Sequence, residues 1–253
     1  PTANPMTFEN YVKGQSVVAA GNGAQWTANY ANAGIVVSKA EAGFEGYEAD
    51  DYCLAINAKD VVAAKDGIFT LLLDDRTTFA FDKDASIATK NIIVEMDIAI
   101  VGEDKPSGFG FYIGNTDGNF GRTTVFMMKN GKIGSNWSNS WTSGMRHSTD
   151  LVKDKFVHIK YVVPNNLLNN SATWYLDGQM VTSVATTQAY IPVNPSAVNA
   201  LRFCSIAETE STVDATMNID NIQIYQEDAP EPTAEPTPAP TAEPTAAPTE
   251  APA

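Results

Sequence analysis

The feature that most constrains the fold is an alternation of apolar and polar side chains, repeated in short segments from Ser16 to Gln226. Strand side chains point alternately to opposite faces of a sheet, so this pattern is typical of strands with one buried face. No long stretch carries the period of about 3.6 residues that an amphipathic helix requires. The pattern predicts an all-β fold, with strands in SVVAA, GIVVS, YCLAINA, GIFTLLL, TTFAFD, NIIVEMDIAI, GFGFYIGN, TTVFMMK, FVHIKYVV, SATWYLD, QMVTSVA, ALRFCSIA and ATMNIDNIQIYQ.

Turn signals and changes of phase add local detail. Asn130-Gly131 and Asp177-Gly178 each stand between two predicted strands, and these dipeptides tolerate the positive φ angles of a tight hairpin turn. In the last segment the apolar phase changes at Asp220-Asn221, which predicts a β-bulge that can re-aim a side chain. Elsewhere the alternation assigns side chains to the inner face: Ile92, Val94, Met96, Ile98, Ile100, Val157, Ile159, Tyr161 and Val163.

The end of the chain has a composition that cannot fold. Residues 230–253 hold eight of the 14 prolines and no large apolar side chain, so they cannot bury enough surface to offset the entropy of ordering. We expect an extended, polyproline-like spacer there. The sequence therefore predicts a linker remnant at 1–5, a β-sandwich domain at 6–227 and a disordered Pro/Thr/Glu-rich linker at 228–253. We expect this module to belong to a longer protein.

Charge and cysteine content limit the partners. The net charge is −14, of which residues 230–253 supply four negative charges, so nucleic acid and anionic membranes are poor partners. No apolar run approaches the ~18 residues that a membrane-spanning helix needs. Cys53 and Cys204 both lie in strand-like contexts, and either a disulfide or two buried free thiols would fit them.

Three segments share their order and spacing with one known family. They are TFENYVKGQ at 7–15, FVHIKYVV followed by TWYLDGQMV at 156–181, and MNIDNIQIY at 217–225. Together they resemble the concanavalin-A-like (laminin-G-like) β-sandwich domains of secreted bacterial polysaccharide-degrading enzymes. The resemblance implies a two-sheet antiparallel, jelly-roll-like sandwich that binds a glycan on its curved face or its edge loops. Residues 104–154 match no pattern of that family, so the ligand is not transferred.

The same resemblance implies a structural calcium ion. In such domains a glutamate of the entry strand and an aspartate of the last strand meet and bind the ion, and Glu9 and Asp220 occupy those positions here. Calcium takes six to eight oxygen ligands, and a bulge at Asp220 would free carbonyl groups for it. Two exposed acids that never meet are the alternative. Further ligands could come from Glu45, Glu48, Asp50 or Asp51.

One strand begins like the catalytic motif of the family's glucanases. That motif sets two glutamates on one strand face as nucleophile and acid/base. Glu95 and Asp97 match its start, but Ala99 or Ile100 stands where the second glutamate belongs. A single glutamate cannot supply both roles, so we expect no hydrolysis by this motif. Two carboxylates on a solvated face are the simpler interpretation.

The stretch GSNWSNSWTSGMRH contains two indoles among polar residues. If it is extended, Trp137, Asn139 and Trp141 point the same way, with the indoles ~13 Å apart. Sugar rings pack flat on aromatic faces and need polar groups at their rims. We therefore predict a sugar-binding platform in which polar or outward-facing residues complete the site: Asn136, Arg146, His147, Tyr112 and Arg122. Alternatively, one or both indoles cap the core, where we also expect Trp26 and Trp174.

The combined prediction is a non-catalytic carbohydrate-binding module. It would target a secreted or cell-surface multidomain enzyme to plant cell-wall polysaccharide, with adjacent domains of the same chain as its other partners. Two other functions stay open from the sequence. One is a polysaccharide lyase or glycoside hydrolase on the same fold, and the other is a structural or adhesive surface module.

Overall fold

The structure is a computed structural model, and it describes residues 5–19, 26–63, 68–72, 90–103, 109–114, 123–129, 131–136, 146–163, 171–185, 200–205 and 215–228. Short strands dominate these residues. They are β1 (Trp26–Ala28), β2 (Ile35–Ser38), β3 (Tyr52–Asn57), β4 (Ile68–Leu72), β5 (Lys90–Gly102), β6 (Phe109–Gly114), β7 (Thr123–Lys129), β8 (Lys132–Asn136), β9 (Arg146–Asp150), β10 (Val157–Val163), β11 (Ser171–Leu176), β12 (Gln179–Ala185), β13 (Ala200–Ser205) and β14 (Ala215–Asp228).

The strands form two antiparallel sheets of seven strands each. The first sheet has the order β1-β4-β13-β6-β7-β8-β9, and the second has the order β12-β11-β10-β5-β14-β3-β2. Side chains from both sheets pack into one core: the ring of Phe111 on β6 meets the ring of Tyr161 on β10 edge-on, with centroids 6.1 Å apart. The predicted all-β sandwich is confirmed.

The core follows the predicted alternation. The described side chains of the inward set are all buried: Val94, Met96, Ile98, Ile100, Val157, Ile159 and Tyr161. Trp26 and Trp174 are core residues, as expected. Trp26 stacks on Phe69 with centroids 4.8 Å apart, and Trp174 stacks on Tyr161 at 5.8 Å. Since buried aromatic side chains each remove about 150–250 Å² from water, these stacks carry a large share of the hydrophobic stabilisation.

Gly34 lies where the chain enters β2 and touches this core. Its φ angle is +58°, and an added Cβ would come within 2.6 Å of the Phe69 ring and 2.8 Å of Leu54. Only glycine has both the left-handed backbone freedom and the missing side chain that this position requires. The glycine directly before β2 therefore lets Phe69 of β4 and Leu54 of β3 pack against the backbone at this position.

The predicted Asp177-Gly178 turn and the predicted bulge are present, whereas Asn130 of the other predicted turn lies outside the described residues. Asp177 and Gly178 join β11 to β12 with φ angles of 47° and 75°, as expected for an Asp-Gly hairpin turn. Along β14 the register with β5 shifts between Asp220 and Gln223, and Asn221 has a φ angle of 52°. Beside this bulge the start of the domain is fixed, because Met6 exchanges backbone hydrogen bonds of 2.7 and 3.0 Å with Ile222.

Several local predictions were wrong. Ser16 forms only an isolated bridge to Ile35, and turns follow it instead of the predicted strand. The chain also forms a short helix, α1 (Ala58–Ala63), which the alternation did not indicate. It starts where the Asn57 side chain accepts a hydrogen bond from the backbone N–H of Lys59 at 2.9 Å, a helix-capping contact. Among the described residues no helix is long and apolar enough to cross a bilayer.

The strands β8 and β9 were missing from the predicted set, because KIGSN and RHSTD lack an apolar alternation. Strand β8 places only one large apolar side chain, Ile133, in the core, so its strand conformation depends mainly on pairing with β7 and β9. Cys53 is a buried free thiol, so the disulfide is not formed, and the side chain of Cys204 lies outside the described residues. Burial raises the pKa of Cys53 to about 12.

Candidate functional site

Two regions of the sandwich carry the residues that the sequence singled out. One is the β8–β9 hairpin at the margin of the first sheet. The other is the outer face of the second sheet, where the central strands β10, β5 and β14 lie side by side. We call the side chains of Glu95, Asp97, His158, Lys160 and Tyr225 on that face the polar network.

The hairpin brings three of the predicted sugar-binding residues together. Ser135 pairs with Arg146, so Asn136 at the end of β8 stands next to the position where Arg146 and His147 begin β9. Strand β9 is the last strand of the first sheet in the described part of the chain, so the hairpin lies at the edge of that sheet. Trp137, Asn139 and Trp141, in the connection between the two strands, lie outside the described residues, as does Arg122.

Tyr112 lies away from the hairpin. It is on β6, directly opposite Arg202 of β13 in the register, and β7 separates β6 from β8 in the sheet order. The structure therefore brings Asn136, Arg146 and His147 to one place and leaves Tyr112 two strands away. A role for Tyr112 in a wider sugar-binding site stays a prediction, and Tyr112 is not part of the cluster at the hairpin.

Strand register assembles the polar network. His158 and Lys160 on β10 stand directly opposite Asp97 and Glu95 on β5, and the four side chains share the face that turns away from the core. His158 Nδ1 lies 2.7 Å from Asp97 Oδ1, and its Nε2 lies 3.4 Å from Glu95 Oε2. An ionised Asp97 can only accept, so the Nδ1 atom of His158 carries the hydrogen in this contact.

Glu95 is held by two further donors. The Tyr225 hydroxyl donates to Glu95 Oε1 at 2.7 Å, and the Lys160 ammonium lies 3.0 Å from the same oxygen. Burial alone would raise the pKa of Glu95, but the hydrogen bonds from Tyr225 and Lys160 outweigh it and hold the pKa below its ordinary value. Glu95 is therefore ionised near neutral pH and cannot serve there as a general acid.

Asp97 has a second partner because of the bulge in β14. The Asn221 side chain donates to Asp97 Oδ2 at 2.7 Å, and the left-handed backbone at Asn221 aims it there. Both oxygens of Asp97 are thus engaged by groups of the protein. The interpretation of Glu95 and Asp97 as two freely solvated carboxylates was incomplete, because their side chains are only 14% and 27% exposed and form an ordered network.

The two predicted calcium ligands differ in environment. Asp220 is buried, and its Oδ2 lies 2.5 Å from Lys39 Nζ, whereas Glu9 is exposed in the turn after Phe8. Burial raises the pKa of the Asp220 carboxyl group, the Lys39 ammonium counteracts this, and the charge of Glu9 adds a smaller rise. Whether calcium binds there stays a prediction.

Sequence reasoning missed Lys39 and the aromatic residues around it. Lys39 directly follows β2 and is the only basic residue between positions 38 and 51, a stretch that holds five acidic residues. That isolated positive charge was the available signal. It could not identify the partner, because Asp220 lies 181 positions further along the chain.

No protein-family model matches the chain, and no curated protein matches its sequence. The solved structures that are similar in fold include a sialidase and a carbohydrate esterase. A sialidase superposes with a TM-score of 0.52 at 11% identity over 88% of this chain, which spans 18% of the sialidase chain. The carbohydrate esterase of the Shiga toxin-encoding bacteriophage phi24B gives 0.53 at 12% identity, over 89% of this chain and 100% of the esterase chain. At these identities the similarity shows the fold alone.

Proposed function

We propose that this domain is a non-catalytic carbohydrate-binding module, and that it binds neutral polysaccharide chains at the end of the β8–β9 hairpin. The observation that carries the proposal is the pairing of Ser135 with Arg146. It joins Asn136, Arg146 and His147 at the base of a connection that contains Trp137 and Trp141.

The chemistry of these residue types suits sugar rings. The axial C–H groups of a pyranose pack against an indole face, while amide, guanidinium and imidazole groups exchange hydrogen bonds with the equatorial hydroxyls. Platforms of this kind give micromolar to millimolar affinity, about −4 to −8 kcal/mol. The net charge of −14 favours neutral chains such as xylan, glucan, mannan or galactan over polyuronates.

The polar network supports a non-catalytic role. A glycosidase needs one carboxylic acid that can give up its proton and a second carboxylate that can attack or activate water. Glu95 and Asp97 are instead bound by His158, Lys160 and Tyr225 and by the amide of Asn221. Releasing either carboxylate would leave half-buried donors without acceptors.

The fold is compatible with this role. The sialidase and the carbohydrate esterase with similar folds are named for reactions on glycans, and a concanavalin-A-like sandwich is the finer class that the sequence resemblance implies. In the proposed setting the module is extracellular and raises the local concentration of an adjacent catalytic domain on plant cell-wall polysaccharide.

The test is native affinity electrophoresis of the 253-residue chain in gels that contain xylan, β-glucan, mannan, galactan or polygalacturonate. We expect retardation in at least one neutral polysaccharide and no new reducing ends after long incubation with it. Retardation in none of the gels would contradict carbohydrate binding and would favour a structural or adhesive module. Release of reducing ends would contradict the non-catalytic role.

A further inference from the structure

The carboxylate of Asp220, at the bulge in β14, is buried and needs a positively charged partner. Asp220 stands directly opposite Asp97 in the register of β14 and β5, and like charges in directly opposed positions repel each other. Asp97 is satisfied by His158 and Asn221. The side chain of Asp220 is only 3% exposed, so its charge requires a separate partner inside the protein.

Lys39 supplies that partner from a fixed position. Its side chain is 8% exposed and its ammonium lies 2.5 Å from Asp220 Oδ2. Two backbone hydrogen bonds hold the residue: its N–H donates to the Asp51 carbonyl at 2.8 Å, and its carbonyl accepts from the N–H of Phe44 at 3.0 Å. These two bonds fix the backbone of Lys39 within the 39–51 segment, and its side chain reaches Asp220 from there.

Aromatic rings complete the surroundings of the ammonium. Lys39 Nζ lies 4.8 Å from the centroid of the Tyr47 ring and 5.4 Å from that of Phe156. Both distances are within the range of cation–π attraction.

The donor set fits this ammonium better than a calcium ion. Calcium takes six to eight oxygen ligands, whereas this site offers a single buried carboxylate, Asp220, whose Oδ2 is already bound by the Lys39 ammonium. The nearby Glu9 is exposed, and no three acidic, histidine or cysteine side chains among the described residues form a group that could hold a metal. A divalent ion at Oδ1 would also stand beside a buried positive charge.

We propose that Lys39 is the cation of this site. Its ammonium provides at Asp220 the positive charge that a calcium ion would otherwise supply, and the sandwich closes around the β14 bulge without a structural metal. The proposal is independent of carbohydrate binding, since it concerns the other sheet and would hold for a module of any function.

The first test compares the unfolding temperature of the wild-type chain in EDTA with that in millimolar calcium. We expect the same midpoint in both buffers and no calcium binding by isothermal titration. A structural calcium ion at 100 times its dissociation constant would instead raise the midpoint by roughly 5–11 °C. Such a shift would overturn the proposal, and this comparison requires no variant.

The second test substitutes the ammonium. Lys39→Met keeps the length of the side chain and removes its charge, and we expect a lower midpoint in both buffers. Lys13→Met is the matched control, because Lys13 makes an ion pair of similar length, 2.6 Å to Glu41, with 42% of its side chain exposed. If Lys39→Met unfolds at the wild-type temperature, or if only Asp220→Asn lowers the midpoint, Lys39 is not the counter-ion.

Discussion

Polar side chains are paired and largely buried on the outer face around β5, whereas they are exposed on the β8–β9 hairpin. On the face, Glu95, Asp97 and Asp220 are each bound by groups of the protein itself. On the hairpin, at the end opposite to Asn136 and Arg146, the Lys132–Asp150 pair has a similar length, 2.7 Å, but its side chains are 50% and 87% exposed. Buried polar groups that have partners within the protein stabilise the fold. Exposed groups at the edge of the first sheet can exchange water for a ligand.

The largest expected effect separates the two regions by stability. Lys39→Met should lower the free energy of unfolding by about 3–5 kcal/mol, because it leaves the buried Asp220 carboxylate without its counter-ion. The same substitution at Lys132 should leave the unfolding midpoint unchanged within error, since solvent screens its pair with Asp150. Urea denaturation of both variants measures the difference. If both variants lose the same free energy of unfolding, burial of the ion pair does not determine its contribution to stability.

A second prediction sharpens the account of Glu95. Replacing it by glutamine should cost about 1–3 kcal/mol at pH 7, because Lys160 and Tyr225 then face a neutral acceptor. Equilibrium urea unfolding monitored by tryptophan fluorescence gives this number. Gln223→Glu, directly opposite Glu95 on β14, should also lower stability, because it sets a second negative charge against Glu95. A gain of stability in Glu95→Gln would contradict the network.

The pH dependence of that contribution has a defined sign. The pKa of Glu95 is lowered by folding, so its stabilising effect is fully present above the ordinary pKa of a glutamate, about 4.3. It is lost as the pH falls through the lowered pKa of the folded state. Below that range, wild type and Glu95→Gln should converge in urea midpoint. A difference that stays constant from pH 7 down to pH 2.5 would contradict this assignment.

The smallest expected effect concerns stability at the hairpin. Trp137→Ala and Trp141→Ala should leave the unfolding midpoint within about 1–2 °C of wild type, because the proposal assigns both indoles to solvent and ligand rather than to the core. Differential scanning calorimetry is suitable. Trp26→Ala provides the contrast, since that indole is 3% exposed and stacked on Phe69. A large loss in Trp137→Ala would favour the alternative in which the indole caps the sandwich.

Features that depend on neighbouring residues could be predicted from the sequence. The turn at Asp177-Gly178 needs only its own dipeptide, and the bulge at Asp220-Asn221 is visible as a change in the phase of burial along one strand. The burial of Trp26 and Trp174 was likewise expected, because both tryptophans stand in strand-like segments.

Features set by distant parts of the chain could not be predicted. The partner of Lys39 is fixed by how the 39–51 segment covers β14, and the strand conformation of β8 and β9 is fixed by pairing rather than by composition. For the same reason, Glu95 and Asp97 could be assigned to one face but not to their donors on β10 and β14.

One measurement tests the central claim, that this module works through exposed aromatic faces and not through its carboxylates. Affinity electrophoresis in the neutral polysaccharide that retards the wild type most would compare Trp137→Ala, Trp141→Ala, Trp137→Phe and Asp97→Asn. We expect at least about a tenfold loss of affinity, equivalent to ~1.4 kcal/mol, for each alanine variant, and near-wild-type retardation for the other two. Wild-type retardation of both alanine variants, together with loss of binding in Asp97→Asn, would contradict the account.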